Sequence, residues 1–138
     1  MARLYAQFGA VLFVAVGLGG LLTGDAGRLV HHQPGGNVGG MILHLTYARD
    51  VLNLAIGVAL GSAGFRAGDT LAAEIVLTVG VVLGLLAIIG FANPDTPAAT
   101  RSFAGLHFPT VINIFDAITG ALALLCGLGG MAPAPTPR

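Results

Sequence analysis

The residues of this chain that could do chemistry fall in two short constellations. Asp50 and Asn53 are followed by Gly57, and Asn113 and Asp116 are followed by Gly120. In each, an acid and an amide stand three residues apart, with a glycine four residues later, and the order of acid and amide is reversed between the two. Residues at such spacings share one face of a helix. Thr46 and Gly61 extend the first polar face, and Gly127 extends the second. Arg49 is adjacent and carries the sign needed to neutralise Asp50 or Asp116, and Glu74 is a further carboxylate nearby in sequence. These groups admit two uses. As fasteners, an Asn–Asp hydrogen bond and an Arg–Asp pair fix the register of packed helices, each worth about 1 kcal/mol in a membrane. As relay groups, Asp50, Asp116 and Glu74 would pass a proton or ion through the interior.

Histidines offer a second chemistry. His44 precedes the first constellation and His107 the second, while His31 and His32 lie between the first two apolar stretches. Imidazoles near helix ends can ligate haem or a chlorophyll-type metal, or serve as ordinary interfacial residues. Complete signatures are absent: there is no C-x-x-C-H, no H-E-x-x-H or H-x-x-E-H, and no G-x-S-x-G. The run Gly35-Gly36-Asn37-Val38-Gly39-Gly40 lacks the Lys-Ser/Thr ending of a phosphate loop. Cys126 is the only cysteine, has no internal disulfide partner and reads as a small buried apolar side chain. No catalytic or metal-binding set is expected.

Polar groups this sparse must be positioned by something other than a soluble fold. Of 138 residues, 55 % are apolar and 9 % charged, and the mean hydropathy is +0.88. A soluble domain carries roughly 25 % charge; this chain could not cover its own surface in water. The six basic residues are all arginine, six acids balance them, and the net charge is zero. That balance, with no basic cluster, argues against nucleic acid as a partner and against polybasic attachment to anionic lipid.

Four apolar blocks supply the elements, at about 4–23, 41–65, 71–92 and 108–131. Each is long enough to cross roughly 30 Å of hydrocarbon as a helix, and none alternates as a strand would. The first block is expected to be a retained span, because it is too long for a signal-peptide core and no A-x-A site follows. Asp69 or Thr70 is expected to cap the third helix. Pro94 and Pro97 punctuate the link before the fourth, and Gly80–Gly84 and Gly57–Gly61 are G-x-x-x-G pairs suited to close helix packing. Four crossings would put both termini and the short 66–69 link on one side. Arg3, Arg66 and Arg138 there, against Arg28 and Arg101 opposite, make that side the cytoplasmic one.

The blocks also repeat. Gly9 and Gly19 of the first have the spacing of Gly80 and Gly90 in the third, and Gly64 corresponds to Gly127 as the two constellations correspond. The expected fold is an all-α membrane bundle of two tandem, duplicated hairpins about a pseudo-two-fold axis along the membrane normal. In this the chain resembles a family of small bacterial four-helix membrane proteins of unknown function, which carry Asn-x-x-His-x-x-x-Gly in their second and fourth helices. The resemblance spans most of the chain, but Asn53 and Asp116 stand where that family has histidine, so no role resting on the imidazole carries over. It implies the topology and a bacterial inner-membrane location, and no activity.

The expectation for function is a non-enzymatic structural or accessory subunit of a larger respiratory or photosynthetic membrane complex, with lipids and other transmembrane subunits as its partners. Two alternatives stand beside it: a small transporter or proton channel using Asp50 and Asp116, and a subunit binding haem or a chlorophyll-type pigment through His44 or His107. In the accessory reading any such pigment would be held by the chain itself or by its partner subunits.

Overall fold

The computed structural model describes residues 1–23, 37–38, 41–42, 47–93, 102–103 and 106–131. Among these, four helices hold nearly all the chain: α1 Ala2–Thr23, α2 Tyr47–Phe65, α3 Asp69–Ala92 and α4 Thr110–Met131. The remainder includes two antiparallel strand pairs of two residues each, β1 Asn37–Val38 with β2 Met41–Ile42, and β3 Ser102–Phe103 with β4 Leu106–His107.

Helix is the form these apolar sequences must take, because it satisfies every backbone donor and acceptor within one segment. The boundaries follow local chemistry. At the start of α3, Gly68 holds an extended backbone (φ −68°, ψ 165°) and makes no side-chain cap bond. The expected cap at Asp69 or Thr70 is therefore one or two residues late: both are already helical, and Asp69 acts on the helix dipole from the first turn. At the other end the Asn93 backbone N–H donates to Ile89 O at 3.0 Å and its side-chain Nδ2 to the same carbonyl at 3.1 Å. Pro94 follows in sequence and could not continue the ladder. α4 starts behind Pro109, whose carbonyl accepts from Asn113 N at 3.1 Å.

The second helix departs most from expectation. Met41 and Ile42, read as the head of a helix from residue 41, pair instead as a strand, Val38 with Met41 and Asn37 with Ile42. Gly39-Gly40 lies between the paired residues in sequence, a dipeptide of the kind two-residue hairpins favour. Two apolar residues carry no period, so their hydrophobicity alone could not distinguish strand from helix.

The helices pack chiefly in two antiparallel pairs, α1 with α2 and α3 with α4. Glycines set the distance in both. A methyl group added at Gly57 would lie 2.9 Å from Val14 N, and one at Gly64 2.9 Å from Gln7 N. In the other pair, one at Gly120 would lie 3.0 Å from Gly84 N, and one at Gly127 2.8 Å from Leu77 N. Only a residue without Cβ lets backbones approach this closely. Of the two G-x-x-x-G pairs, Gly57 and Gly80 sit in such contacts, Gly61 touches only the Ala10 side chain at an ordinary 3.7 Å, and the Cβ direction of Gly84 is open.

Small residues also fill the space between the pairs: Ala2, Ala6, Ala10, Ala63, Ala72 and Ala73 are buried with Phe13, Leu60, Val76 and Leu83 in one core. The start of α1 and the end of α4 meet where Gly130 faces Ala2 and Ala73, and Arg3 pairs with Asp69 at 3.5 Å across exposed side chains at the same end. That end therefore carries the α1 start, the α2–α3 link and the α4 end. Outside, large apolar side chains such as Phe8, Leu22, Val58, Phe65, Ile88 and Leu125 are exposed. A protein that exposes this many bulky apolar side chains on its outside is built for an apolar solvent. Three helices, α1, α3 and α4, are long and apolar enough to cross a membrane. The exception, α2, bears Arg49, Asp50 and Asn53 in its first two turns.

Candidate functional site

The polar constellations come from matching places in α2 and α4. Asp50 and Asn53 are the fourth and seventh residues of α2; Asn113 and Asp116 are the fourth and seventh of α4. They therefore lie within two turns of the helix starts, at the end of the bundle opposite the Arg3–Asp69 pair, and not at mid-helix as a start at residue 41 implied. All four, with Arg49, are 1 % exposed or less.

One strong interaction joins them. Arg49 Nη2 donates to Asp116 Oδ1 in an ion pair between two wholly buried side chains. It bridges α2 and α4, the helices that face each other across the bundle with almost no direct backbone contact among the described residues. The longest cationic side chain spans the gap that packing leaves. Of the two carboxylates Arg49 was expected to neutralise, Asp116 is the one with a direct bond.

The other groups point elsewhere. Asp50 Oδ1 lies against the Cα of Gly20 on α1, where any Cβ would collide with it, and Asn113 Oδ1 lies in the same way against Gly90 on α3. Asn113 Nδ2 donates to Phe108 O at 3.0 Å, holding the approach to α4 against its first turn. Among the described residues, Asp50 Oδ1, Asn53 Oδ1, Asn113 Oδ1 and Asp116 Oδ2 have no hydrogen-bond partner. The glycine seats account for two of these: a Cα–H against an oxygen is a weak favourable contact. The patch is thus a central ion pair with two acceptors turned outward into their own helix pairs.

Glu74 does not join it. Its side chain is exposed in the second turn of α3, roughly 20 Å along the bundle from Asp116 at 1.5 Å per residue. As a third relay group it is out of reach. His107 belongs to β4; His44 and Thr46 lie outside the described residues, as do His31 and His32. Cys126 is free and half-buried. Among the described residues no group of three or more His, Cys, Asp or Glu side chains could hold a metal ion.

Sequence reasoning missed the partners that seat these groups. Gly20 was indistinguishable from neighbouring Gly17 and Gly19 until packing selected it, and Gly90 was marked only as a repeat glycine. The expected repeat aligned Gly19 with Gly90, but Gly19 has open space on its Cβ side while Gly20 meets Asp50 as Gly90 meets Asn113. The alignment of α1 on α3 therefore shifts by one residue, about 100° of helix rotation. Tyr5 Oη donates to Thr119 O at 2.8 Å, Gln7 Nε2 donates to Gly64 O at 3.1 Å, and the Phe13 and Phe115 rings meet edge to face at 5.4 Å. None of these left a motif. No protein-family model, curated protein or solved structure matches the chain.

Proposed function

We propose that the chain is a single-domain, non-enzymatic membrane protein of four crossings, two tandem hairpins related by duplication, that serves as a small structural or accessory subunit of a larger membrane assembly of respiratory or photosynthetic type. The fourth crossing is argued from packing. α2 lies along α1 from Gly64 beside Gln7 to Asp50 beside Gly20, so a membrane that holds α1 also holds α2, whose polar face is turned inward. Duplication is argued from the matched glycine contacts and the matched positions of the two constellations. A bacterial inner membrane with cytoplasmic termini agrees with the arginines of the terminal end.

The observation that carries the functional reading is the buried Arg49–Asp116 pair. It ties α2 to α4, and around it the bundle presents apolar side chains on every helix, a surface fit for lipid and for other transmembrane helices. Extraction from the native membrane in mild detergent, followed by native size, co-purifying proteins and an absorption spectrum, tests it. Migration within a large complex is the expected result, and the spectrum reports any haem or chlorophyll-type pigment near His44 or His107. A small colourless species running alone contradicts the subunit reading. The transporter alternative draws support from Asp50, whose buried Oδ1 has no hydrogen-bond partner. It requires that Asp50→Asn abolish flux in vesicles while the fold survives.

A further inference from the structure

The charged patch lies close under the residues that lead into α4. β4, Leu106–His107, rests against α2, and Thr110 begins α4 only three residues after β4 ends. The segment 106–109 therefore runs between the starts of the two helices that Arg49 and Asp116 join across the diagonal. Arg49, Asp50 and Asn113 lie in the first turn of their helices, and Asn53 and Asp116 one turn deeper, so the segment passes over all five. Phe108 is its most enclosed part. It stands outside any helix or strand and is 1 % exposed. Its ring occupies the space before Gly90 of α3, where an added Cβ would lie 2.9 Å from Phe108 Cδ1. Pro109 beside it is buried and Leu106 half-buried.

We propose that residues 106–109 form a strap that shuts the charged patch off from water at the end opposite the Arg3–Asp69 pair, with Phe108 as its stopper and Asn113 as its latch. The latch is a hydrogen bond from the patch itself. Pro109 O accepts from Asn113 N at 3.1 Å, so Phe108 O is the first carbonyl outside the α4 ladder and needs another donor. Asn113 Nδ2 supplies it at 3.0 Å. The same side chain rests its Oδ1 on Gly90, beside the Phe108 ring. The need for a seal follows from the charges. Arg49, Asp50, Asn53, Asn113 and Asp116 are each 1 % exposed or less, and ionic attraction in such a patch is strong only while water is kept out. α2 and α4 leave a gap that Arg49 bridges, and an apolar ring closes its mouth without burying a further polar side chain. Among the described contacts the strap is held by that ring and one neutral hydrogen bond, whereas glycine contacts hold each helix pair along its length. The strap therefore lifts before the helices part. Lifting it wets Arg49, Asp50 and Asn113 first, and Asn53 and Asp116 after them.

The test is thiol labelling of the full chain in detergent with a charged, water-soluble methanethiosulfonate, after Cys126→Ala removes the only native thiol. Asn53→Cys places a reporter beneath the strap. Tyr47→Cys, at a half-exposed position outside it, gives the open rate, and Val76→Cys, at a wholly buried position toward the other end, reports general unfolding. With the strap intact, Asn53→Cys should react on the order of a hundredfold more slowly than Tyr47→Cys. Adding Phe108→Ala should raise the Asn53→Cys rate roughly tenfold or more and leave Val76→Cys protected. Adding Asn113→Ala instead should raise it less, by about threefold, since only the latch is lost. Three results would overturn the proposal. Fast labelling of Asn53→Cys with the strap intact means that nothing shuts the patch. An unchanged rate with Phe108→Ala means that the ring is not the stopper. Equal gains at Asn53→Cys and Val76→Cys mean that Phe108 holds the whole fold and seals no local mouth.

Discussion

The α1–α2 and α3–α4 pairs solve one packing problem with different chemistry on the same frame. In both, two glycines of the later helix bring it against backbone nitrogens of the earlier one, at Val14 and Gln7 in the first pair and at Gly84 and Leu77 in the second. In both, the fourth residue of the later helix presses an oxygen onto a glycine of the earlier one. The difference lies in charge. α2 carries a buried cation and an acid; α4 carries a single acid and is otherwise apolar or neutral where it is buried. The shared features are those that set interhelical distance, and they tolerate no side chain. The differing ones reach across to the other pair, where the requirement is complementarity and not identity.

The comparison breaks most readily at its charged point. Asp116→Ala removes the carboxylate that Arg49 reaches across the diagonal and should cost about 3–5 kcal/mol. Asn53→Ala, at the matching place, removes an acceptor that has no partner and should cost about 1 kcal/mol or less. Reversible unfolding in detergent would measure both, and equal losses would mean that Arg49 does not depend on Asp116. The glycine frame sharpens the likeness. Gly64→Ala and Gly127→Ala should each cost about 1–3 kcal/mol, with the two values alike, because each methyl would meet a backbone nitrogen that cannot move alone. Gly20→Ala and Gly90→Ala belong to the same range, and a large loss at one with none at its match would end the equivalence.

Smaller effects test the lateral contacts. Tyr5→Phe removes the bond to the Thr119 carbonyl and should lower stability by about 1 kcal/mol, whereas Ile75→Val at the matching place tests only packing. Gly19→Ala and Gly84→Ala should stay within about 0.5 kcal/mol of the parent, since nothing lies within 4 Å of either added methyl.

Much of the frame was legible beforehand, for particular reasons. The first, third and fourth blocks became helices within two residues of their expected limits, because long apolar runs admit little else. The polar constellations were found because acid, amide and glycine recur at helical spacing. The start of α2 was misplaced, since Met41 and Ile42 read equally well as strand or helix. Gly20 was passed over for Gly19, since a run containing Gly17, Gly19 and Gly20 does not say which of them faces α2. Glu74 was grouped with the patch by type alone, and helix length puts it at the other end. The choice of Asp116 over Asp50 as the arginine's partner needed the diagonal itself, which no sequence spacing encodes.

The most direct test of a bundle fastened across its diagonal is a double-mutant cycle on Arg49→Met and Asp116→Leu, read as unfolding free energy in detergent. Each single substitution should cost about 3–5 kcal/mol, and the double should return close to the parent, since two apolar side chains replace a pair that was already neutral. A double variant that loses the sum of the two single losses would show that the residues act independently, and would contradict the account.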